Sequence, residues 1–299
     1  MKLHLVYRST GKENRKARPP FYSKKLALFS FLRAAESLPQ RAEIIFLNDA
    51  PIPESIESIM VSFGEVINIV GLTLVRSYRT AIGLPKARHW NDGDLVYFSE
   101  DDYLYAPDAF VSLIAAARQM PRPSYFGLYA ARDGRDPNGD LIPPGAVRVV
   151  ERQGKSIAAA GHEWKPAMGT TSTFGVQLRA LRKDFWLHHF APLNGGAWDH
   201  VISIAYKGHH PFHWREIIEP FRRSDAHWAW AAKLAGLRAM LNLGALTRLR
   251  WHPLMAPTRC LATHMESKYM AAGVDWKAVA DETQQWAAQK GLAGPKANT

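Results

Sequence analysis

Asp94-Leu95-Val96-Tyr97-Phe98-Ser99-Glu100-Asp101-Asp102 is the stretch whose reading decides the fold. Its four successive apolar residues, Leu95 to Phe98, suit a central parallel strand buried on both faces. Three carboxylates follow at once. In open α/β sheets ligands bind beyond the carboxyl ends of the strands, so Glu100, Asp101 and Asp102 mark a site before any motif is invoked. Crowded carboxylates repel one another unless a cation joins them, and hard oxygen donors select Mg²⁺ or Mn²⁺. A divalent ion there bridges to a diphosphate and neutralises a leaving group. The other reading is a solvated turn that caps the helix starting near Pro107.

Outward from this strand, short apolar runs alternate with helical stretches, the pattern of βαβ units and a mostly parallel sheet flanked by helices. Leu3–Tyr7 reads as strand one, and a basic loop, 8–20, leads to a helix over 21–38 that Pro39 terminates. Residues 42–47 form a second strand, followed by the turn-forming run Asn48-Asp49-Ala50-Pro51. A helix over 55–63, a strand over 65–70 and a helix over 73–90, bent near Gly83 and Pro85, complete the approach. Beyond it lie a helix to about Met120, a strand over 124–130, a loop over 132–144, a ribbon of 147–150 with 156–159, and a strand over 170–178. Helices follow over 181–190 and 197–207. Residues 209–257 are aromatic and basic with poor periodicity, 275–290 form a terminal helix, and 291–299 a frayed tail. The expected division is 1–208 as the main α/β domain and 209–299 as a mainly helical, aromatic and basic extension packed on it.

With 299 residues, 47% hydrophobic and 22% charged, the chain affords a sizeable core and is neither fibrous nor wholly disordered. Lys and Arg total 38 against 27 Asp and Glu, a net +11 that calls for anionic partners. The excess is localised. Residues 1–33 carry Lys2, Arg8, Lys12, Arg15, Lys16, Arg18, Lys24, Lys25 and Arg33 against Glu13 alone. Residues 215–259 carry eight further cations against Glu216, Glu219 and Asp225, so the middle of the chain is slightly acidic. The single cysteine, Cys260, makes no internal disulfide and no thiolate cluster. The short apolar start lacks the length of a signal peptide, and no apolar run approaches the roughly 20 residues that span a bilayer, so the expected location is cytoplasmic.

Val96-Tyr97-Phe98-Ser99-Glu100-Asp101-Asp102-Tyr103 resembles the acidic metal motif of GT-A fold glycosyltransferases, above all the large inverting, family 2-like enzymes of bacterial polysaccharide synthesis. The resemblance covers about residues 1–205. Arg8 after strand one, Asn48-Asp49 after strand two, the acidic trio after strand four and Trp198-Asp199-His200 stand in the family's order. It implies that Asp102 binds the metal directly, that Glu100 or Asp101 contacts the metal shell or ribose, and that Asp49 meets the nucleotide base. His264, in Thr263-His264-Met265-Glu266, stands for the C-terminal histidine that closes the metal shell in such enzymes, and its imidazole favours Mn²⁺. The implied donor is a nucleotide diphosphate-sugar, a UDP-sugar ahead of a GDP-sugar; the implied acceptor is a glycan or lipid-linked sugar. Three features depart from the pattern: Glu-x-Asp replaces Asp-x-Asp, Asn-Asp-Ala-Pro replaces the longer acidic turn, and no Gln-x-x-Arg-Trp motif is present.

The chemistry of each part stands beside the resemblance. Inverting sugar transfer needs a base for the acceptor hydroxyl; Asp199 is the candidate, with Trp198 to stack on the sugar and His200 as its neighbour in the acceptor site. Asp199 is equally a first-turn helix acid following Gly195-Gly196. Retaining transfer needs no such base. Arg8, fixed at a strand end, and Arg18, in the basic loop, are candidates to clamp the diphosphate, Arg8 ahead of Arg18, which with Lys12, Arg15 and Lys16 is equally a mobile solvated stretch. His227-Trp228-Ala229-Trp230, with Leu234, Leu237 and Leu241 amid Lys233, Arg238, Arg248 and Arg250, has the composition of an interfacial helix on an anionic membrane surface, or of a core-packed helix with solvated arginines. A nucleic-acid-binding protein is disfavoured: no recognition signature is visible, and the acidic trio repels phosphates in the absence of a cation. A nucleotidyltransferase expects a Gly-rich activating loop after strand one, which Ser9-Thr10-Gly11-Lys12 is too poor in glycine to supply.

Overall fold

Strand β1 (Leu3–Thr10) runs through the centre of the molecule and is buried from Leu3 to Ser9. Alternation along it sends Leu5 and Tyr7 into one apolar core and Val6 into another, on opposite faces of the sheet. The fold is known from a computed structural model that describes residues 1–13, 15–49, 51–69, 73–131, 155–222, 227–246 and 251–292.

β1 pairs in parallel with β2 (Glu43–Asp49) on one side and β4 (Leu95–Glu100) on the other, and β3 (Glu65–Asn68) extends β2 at the edge. Helices α1 (Lys24–Glu36), α2 (Glu54–Phe63) and α3 (Leu74–Ala87) connect these strands. Ser23 caps α1 by accepting from the Leu26 amide, and Thr73 caps α3 by accepting from that of Arg76. The sheet continues past β4 with β11 (Phe174–Gln177), β6 (Tyr125–Phe126), β12 (Leu254–Pro257), β9 (His162–Pro166) and β8 (Ile157–Ala159). Among the described residues it has nine strands, seven of which share one direction while β11 and β9 oppose them. Two short ribbons stand apart: β5 (Tyr103–Tyr105) with β13 (Ala262–His264), and β7 (Ala130–Ala131) with β10 (Gly169–Thr170).

Helices cover both faces, as a mostly parallel sheet requires. α1, α4 (Ala109–Gln119) and α9 (Trp276–Gln289) lie over one core; α3, α5 (Leu178–Phe190) and α6 (Trp198–Tyr206) lie over the other. α7 (Trp214–Ile218) and α8 (Trp228–Leu246) pack outside α6. Among the described residues no helix is long and apolar enough to cross a membrane.

The α/β class and mostly parallel sheet agree with the sequence reading; several boundaries do not. β1 extends through Thr10, so Arg8 lies within the strand rather than after it. Asn48 and Asp49 end β2 instead of forming a turn, because ladder partners on both sides, Ser9 and Thr10 in β1 and Asn68 in β3, override their turn preference. The run 124–130 is split into β6 and β7, and a Cβ at Gly127 would come within 2.8 Å of the Ala130 Cβ. β8 pairs with β9 across Ala160 and Gly161, both at positive φ (47° and 79°) as a tight primed hairpin needs. The loop over 132–144 and the ribbon strand over 147–150 lie outside the described residues. So do Arg223, Asp225, Arg248, Arg250 and the tail from residue 293. β12 went unread: Leu-Met-Ala-Pro is short, ends on proline and shows no alternation, yet it is buried between β6 and β9. α8 is a regular 19-residue helix where the sequence shows poor periodicity.

Candidate active site

The chain builds β1, β2 and β3 outward in one direction and then places β4 on the far side of β1. That reversal is the switch point at which α/β sheets hold ligands. The carboxyl ends of β1 and β4 face each other there, Arg8 in register with Glu100. Above them lies a cleft of about 620 Å³ lined by Arg8, Asp49, the acidic trio, Asp199 and His264, with Lys12 and Lys16 also on its wall. Residues from five distant parts of the sequence are thereby brought together.

Each carboxylate of the trio meets a cation. Glu100 Oε1 accepts from Arg8 Nη2 at 2.5 Å, and its backbone amide donates to Thr173 Oγ1 at 3.2 Å. Asp101 Oδ2 accepts from the Thr10 amide at 2.8 Å and faces Lys24 Nζ at 3.0 Å. Asp102 Oδ2 accepts from Arg18 Nη2 at 3.1 Å and lies 2.9 Å from His264 Nε2. Arg18 is tied further to the Met265 carbonyl at 2.7 Å, so it is held in place and not a solvated loop residue. His264 stands at the end of β13, stacked on Tyr103 with ring centroids 5.1 Å apart.

These environments separate three neighbouring acids. Burial pushes the Glu100 and Asp101 carboxyls up, against the opposing charges of Arg8 and Lys24. Burial also pushes Asp102 up, but the His264 and Arg18 contacts outweigh it and hold this carboxyl below its ordinary value. Asp102 is the acid of the trio that stays ionised most readily.

Among the described residues no group of three or more His, Cys, Asp or Glu side chains is placed to hold a metal ion. Glu100 and Asp101 have their own cations and their own hydrogen bonds. Asp102 and His264 are adjacent donors on the cleft wall, and Mg²⁺ is commonly held by one or two protein ligands together with substrate phosphates. Asp102 also meets Arg18, so Asp102 and His264 would hold a cation only beside that guanidinium and together with substrate phosphates; the trio as a whole does not fit one.

Asp199 lies in the first turn of α6, accepts from the His200 amide at 2.8 Å, and also lines the cleft. Burial raises its carboxyl above the ordinary value, in the direction of a stronger base. Trp198 and His200 are placed differently from expectation. Trp198 stacks on Tyr78 (5.6 Å between centroids) and donates to Ser172 Oγ at 3.2 Å, behind the cleft wall. His200 is exposed and does not line the cleft, since the helix turns the residue after Asp199 about 100° away.

Several residues of the site were not foreseen. Lys24, the first residue of α1, serves Asp101. Thr171, Ser172 and Thr173 present hydroxyls at the cleft or on Glu100, and the unbroken run Thr170-Thr171-Ser172-Thr173 was the signal for them. Tyr78 lies under Arg8, whose Cζ is 5.7 Å from the ring centre. Its hydroxyl is 2.7 Å from His188 Nδ1, and His188 Nε2 is 3.1 Å from Tyr125 OH, which donates to Asp184 Oδ2 at 3.0 Å. Because Tyr125 has one proton and gives it to the carboxylate, its oxygen accepts from His188 Nε2–H; a neutral His188 then accepts from Tyr78 at Nδ1. His252 closes the network on Asp184 at 2.8 Å.

No protein-family model and no curated protein matches the sequence. In three dimensions the chain is similar to S. aureus TarS 1-349, at 10% identity over 83% of this chain and 73% of that one, with a TM-score of 0.42. It is similar to TarS 1-349 in complex with UDP-GlcNAc (12% identity, 71% and 54% covered, TM-score 0.41). A third similar structure is CMP:2-keto-3-deoxy-manno-octonic acid synthetase complexed with CTP (14% identity, 97% and 100% covered, TM-score 0.41). The chain spans only 34% of a longer TarS chain. These scores are low, and fold and site stand on the sheet order and the cleft geometry.

Proposed function

We propose that this protein transfers a glycosyl group from a nucleoside diphosphate-sugar, with a UDP-sugar ahead of a GDP-sugar, to a hydroxyl of a glycan or lipid-linked acceptor, with inversion. The observation that carries the reading is the cleft itself: basic side chains that suit a diphosphate and a carboxylate that suits an acceptor hydroxyl line one volume at the sheet's switch point. Arg8 supports it most specifically. Its guanidinium is 8% exposed, Nη2 is bonded to Glu100, and Nη1 is buried with no hydrogen-bond partner among the described residues. Nη1 lies just beneath the cleft surface, and a small shift of the wall on ligand binding lets this donor meet a phosphate oxygen.

In this mechanism Arg8 Nη1 donates to the diphosphate, Lys12 and Lys16 add positive charge at the cleft wall, and Asp49 meets the nucleoside at the end of β2. Asp199 accepts the proton of the acceptor hydroxyl at a carboxylate oxygen. The acceptor oxygen bonds to the anomeric carbon as the bond from that carbon to the phosphate oxygen breaks, and the nucleoside diphosphate departs with the electron pair. Asp102 and His264 would hold Mn²⁺ or Mg²⁺, whose chemistry at this place is to neutralise charge on the leaving diphosphate.

A panel of UDP- and GDP-sugars scored for nucleotide release in the presence of Mn²⁺ tests the proposal. Turnover of at least one donor, abolished by Asp199→Asn while nucleotide binding persists, is the expected result. No turnover of any donor, or full activity in Asp199→Asn, overturns it.

A further inference from the structure

The run Thr170-Thr171-Ser172-Thr173 joins β10 to β11 along the cleft wall, and one of its four hydroxyls differs from the rest. Thr170 Oγ1 is 3.3 Å from both the Tyr129 and the Thr173 carbonyls. Thr171 Oγ1 is 2.8 Å from the Tyr103 hydroxyl. Thr173 Oγ1 accepts from the Glu100 amide at 3.2 Å and faces its carboxylate at 3.5 Å. These three are held by the protein. Ser172 Oγ instead accepts from Trp198 Nε1 at 3.2 Å, and an indole nitrogen can only donate. The serine keeps its own proton to give, and no described residue accepts it.

Its position on the wall says where that proton can go. Two small recesses share wall residues with the cleft: one is lined in part by Arg8 and Ser99, the other in part by Asp199 and Ser203. Ser172 alone lines both recesses and the cleft itself, so it stands between the Arg8 side and the Asp199 side. Tyr78 supports this stretch from beneath. Its buried ring lies 5.7 Å from the Arg8 guanidinium and stacks on the Trp198 indole at 5.6 Å. Trp198 opens α6 directly before Asp199, so the helix turn that carries the candidate base also holds the serine.

Glycosyl transfer breaks the bond from the anomeric carbon to a phosphate oxygen while the acceptor oxygen attacks that carbon. The donor sugar therefore lies between the group that holds the diphosphate and the group that takes the acceptor's proton. On the glycosyl-transfer reading, on which the assignment rests, those groups are Arg8 and Asp199.

We infer that Ser172 is a specificity residue for the donor sugar: oriented by the Trp198 indole, its O–H donates to an oxygen of the glycosyl group near the anomeric carbon. The site thereby favours sugars with an accepting oxygen at that place, a hydroxyl or an acetamido carbonyl. Trp198 acts as a positioning residue, through Ser172, and does not itself touch the sugar.

Isothermal titration without acceptor tests this by comparing UDP with UDP-glucose and UDP-N-acetylglucosamine, and GDP with GDP-mannose. In Ser172→Ala the nucleoside diphosphate should bind within twofold of the wild type. The sugar nucleotide that binds the wild type should weaken about fivefold, the weight of one neutral hydrogen bond. Equal weakening of both, which would put the hydroxyl on a phosphate or the defect in the fold, overturns the inference, as does unchanged binding of both. Trp198→Phe keeps an aromatic ring on Tyr78 and removes the Nε1 donor. It should weaken the sugar nucleotide in the wild type and add nothing in the Ser172→Ala background; additive losses overturn the positioning. A wild type that binds none of these nucleotides fails the donor reading, and the inference with it, an outcome distinct from sugar nucleotides binding Ser172→Ala undiminished.

Discussion

Arg8→Lys separates what Arg8 does for the fold from what it does for a ligand. Lysine keeps the positive charge beside Glu100 but removes the second nitrogen, Nη1, the buried donor without a partner. The lysine ammonium keeps an ion pair with Glu100, so the melting temperature should fall less than when the cation is removed altogether. A phosphate loses a charge-assisted hydrogen bond of about 1.5–3 kcal/mol, which is roughly a 10- to 150-fold weakening of binding. Arg8→Met strips Glu100 of its cation, and breaking a fully buried pair costs about 3–5 kcal/mol. Glu100 is 27% exposed, so solvent reduces the figure to about 1–2 kcal/mol, or a fall in Tm of about 2–8 °C. Isothermal titration with UDP, beside thermal melts of the three proteins, reads both effects. Arg8→Lys binding UDP within twofold of the wild type would refute the assignment of Nη1 to a phosphate.

Asp199→Asn should lower turnover by about 10²–10⁴ while leaving the protein at least as stable at neutral pH. The raised carboxyl is ionised there at a cost to the folded state; that cost appears as pH climbs past the unfolded carboxyl's pKa, and a melt at neutral pH with Tm below the wild type would contradict it. Burial of Lys207, which bonds the Ala167 and Met168 carbonyls, lowers its pKa from 10.5 to about 7. Between those values the unfolded chain holds a proton that the folded chain has released, so stability should rise with pH across that window and Lys207→Met should flatten the rise; equal slopes in melts across the range would refute it. Tyr78→Phe removes the hydroxyl 2.7 Å from His188 Nδ1 and should lower Tm by about 2–12 °C, from a loss of about 1–3 kcal/mol, with UDP affinity within twofold because the ring under Arg8 remains. A tenfold loss of UDP affinity in that variant would show that the hydroxyl also serves the cleft.

The parts of the site legible in the sequence are those carried by local pattern. Leu95–Phe98 followed by three acids marks a buried strand and its ligand-binding end, and the helix after Gly195-Gly196 places Asp199 in a first turn. Asp102 and His264 are 162 residues apart, and only the order of elements suggested that they meet. Lys24 was hidden because its partner, Asp101, reaches it across the β1–α1 connection, a packing relation with no local trace. Tyr78 and His188 are 110 residues apart and read as ordinary helix residues. Trp198 looked like a sugar platform by adjacency to Asp199, but helical geometry sends adjacent side chains in different directions, and its indole packs on Tyr78 instead.

The central claim, inverting transfer with Asp199 as the base, is tested most directly by following one turnover reaction by proton NMR. An α-linked nucleoside diphosphate-sugar accepted in the donor panel would be supplied with a hydroxyl acceptor. The account predicts a β-linked product formed in step with nucleoside diphosphate, and neither signal in Asp199→Asn. An α-linked product, or undiminished formation of either product by Asp199→Asn, would contradict it.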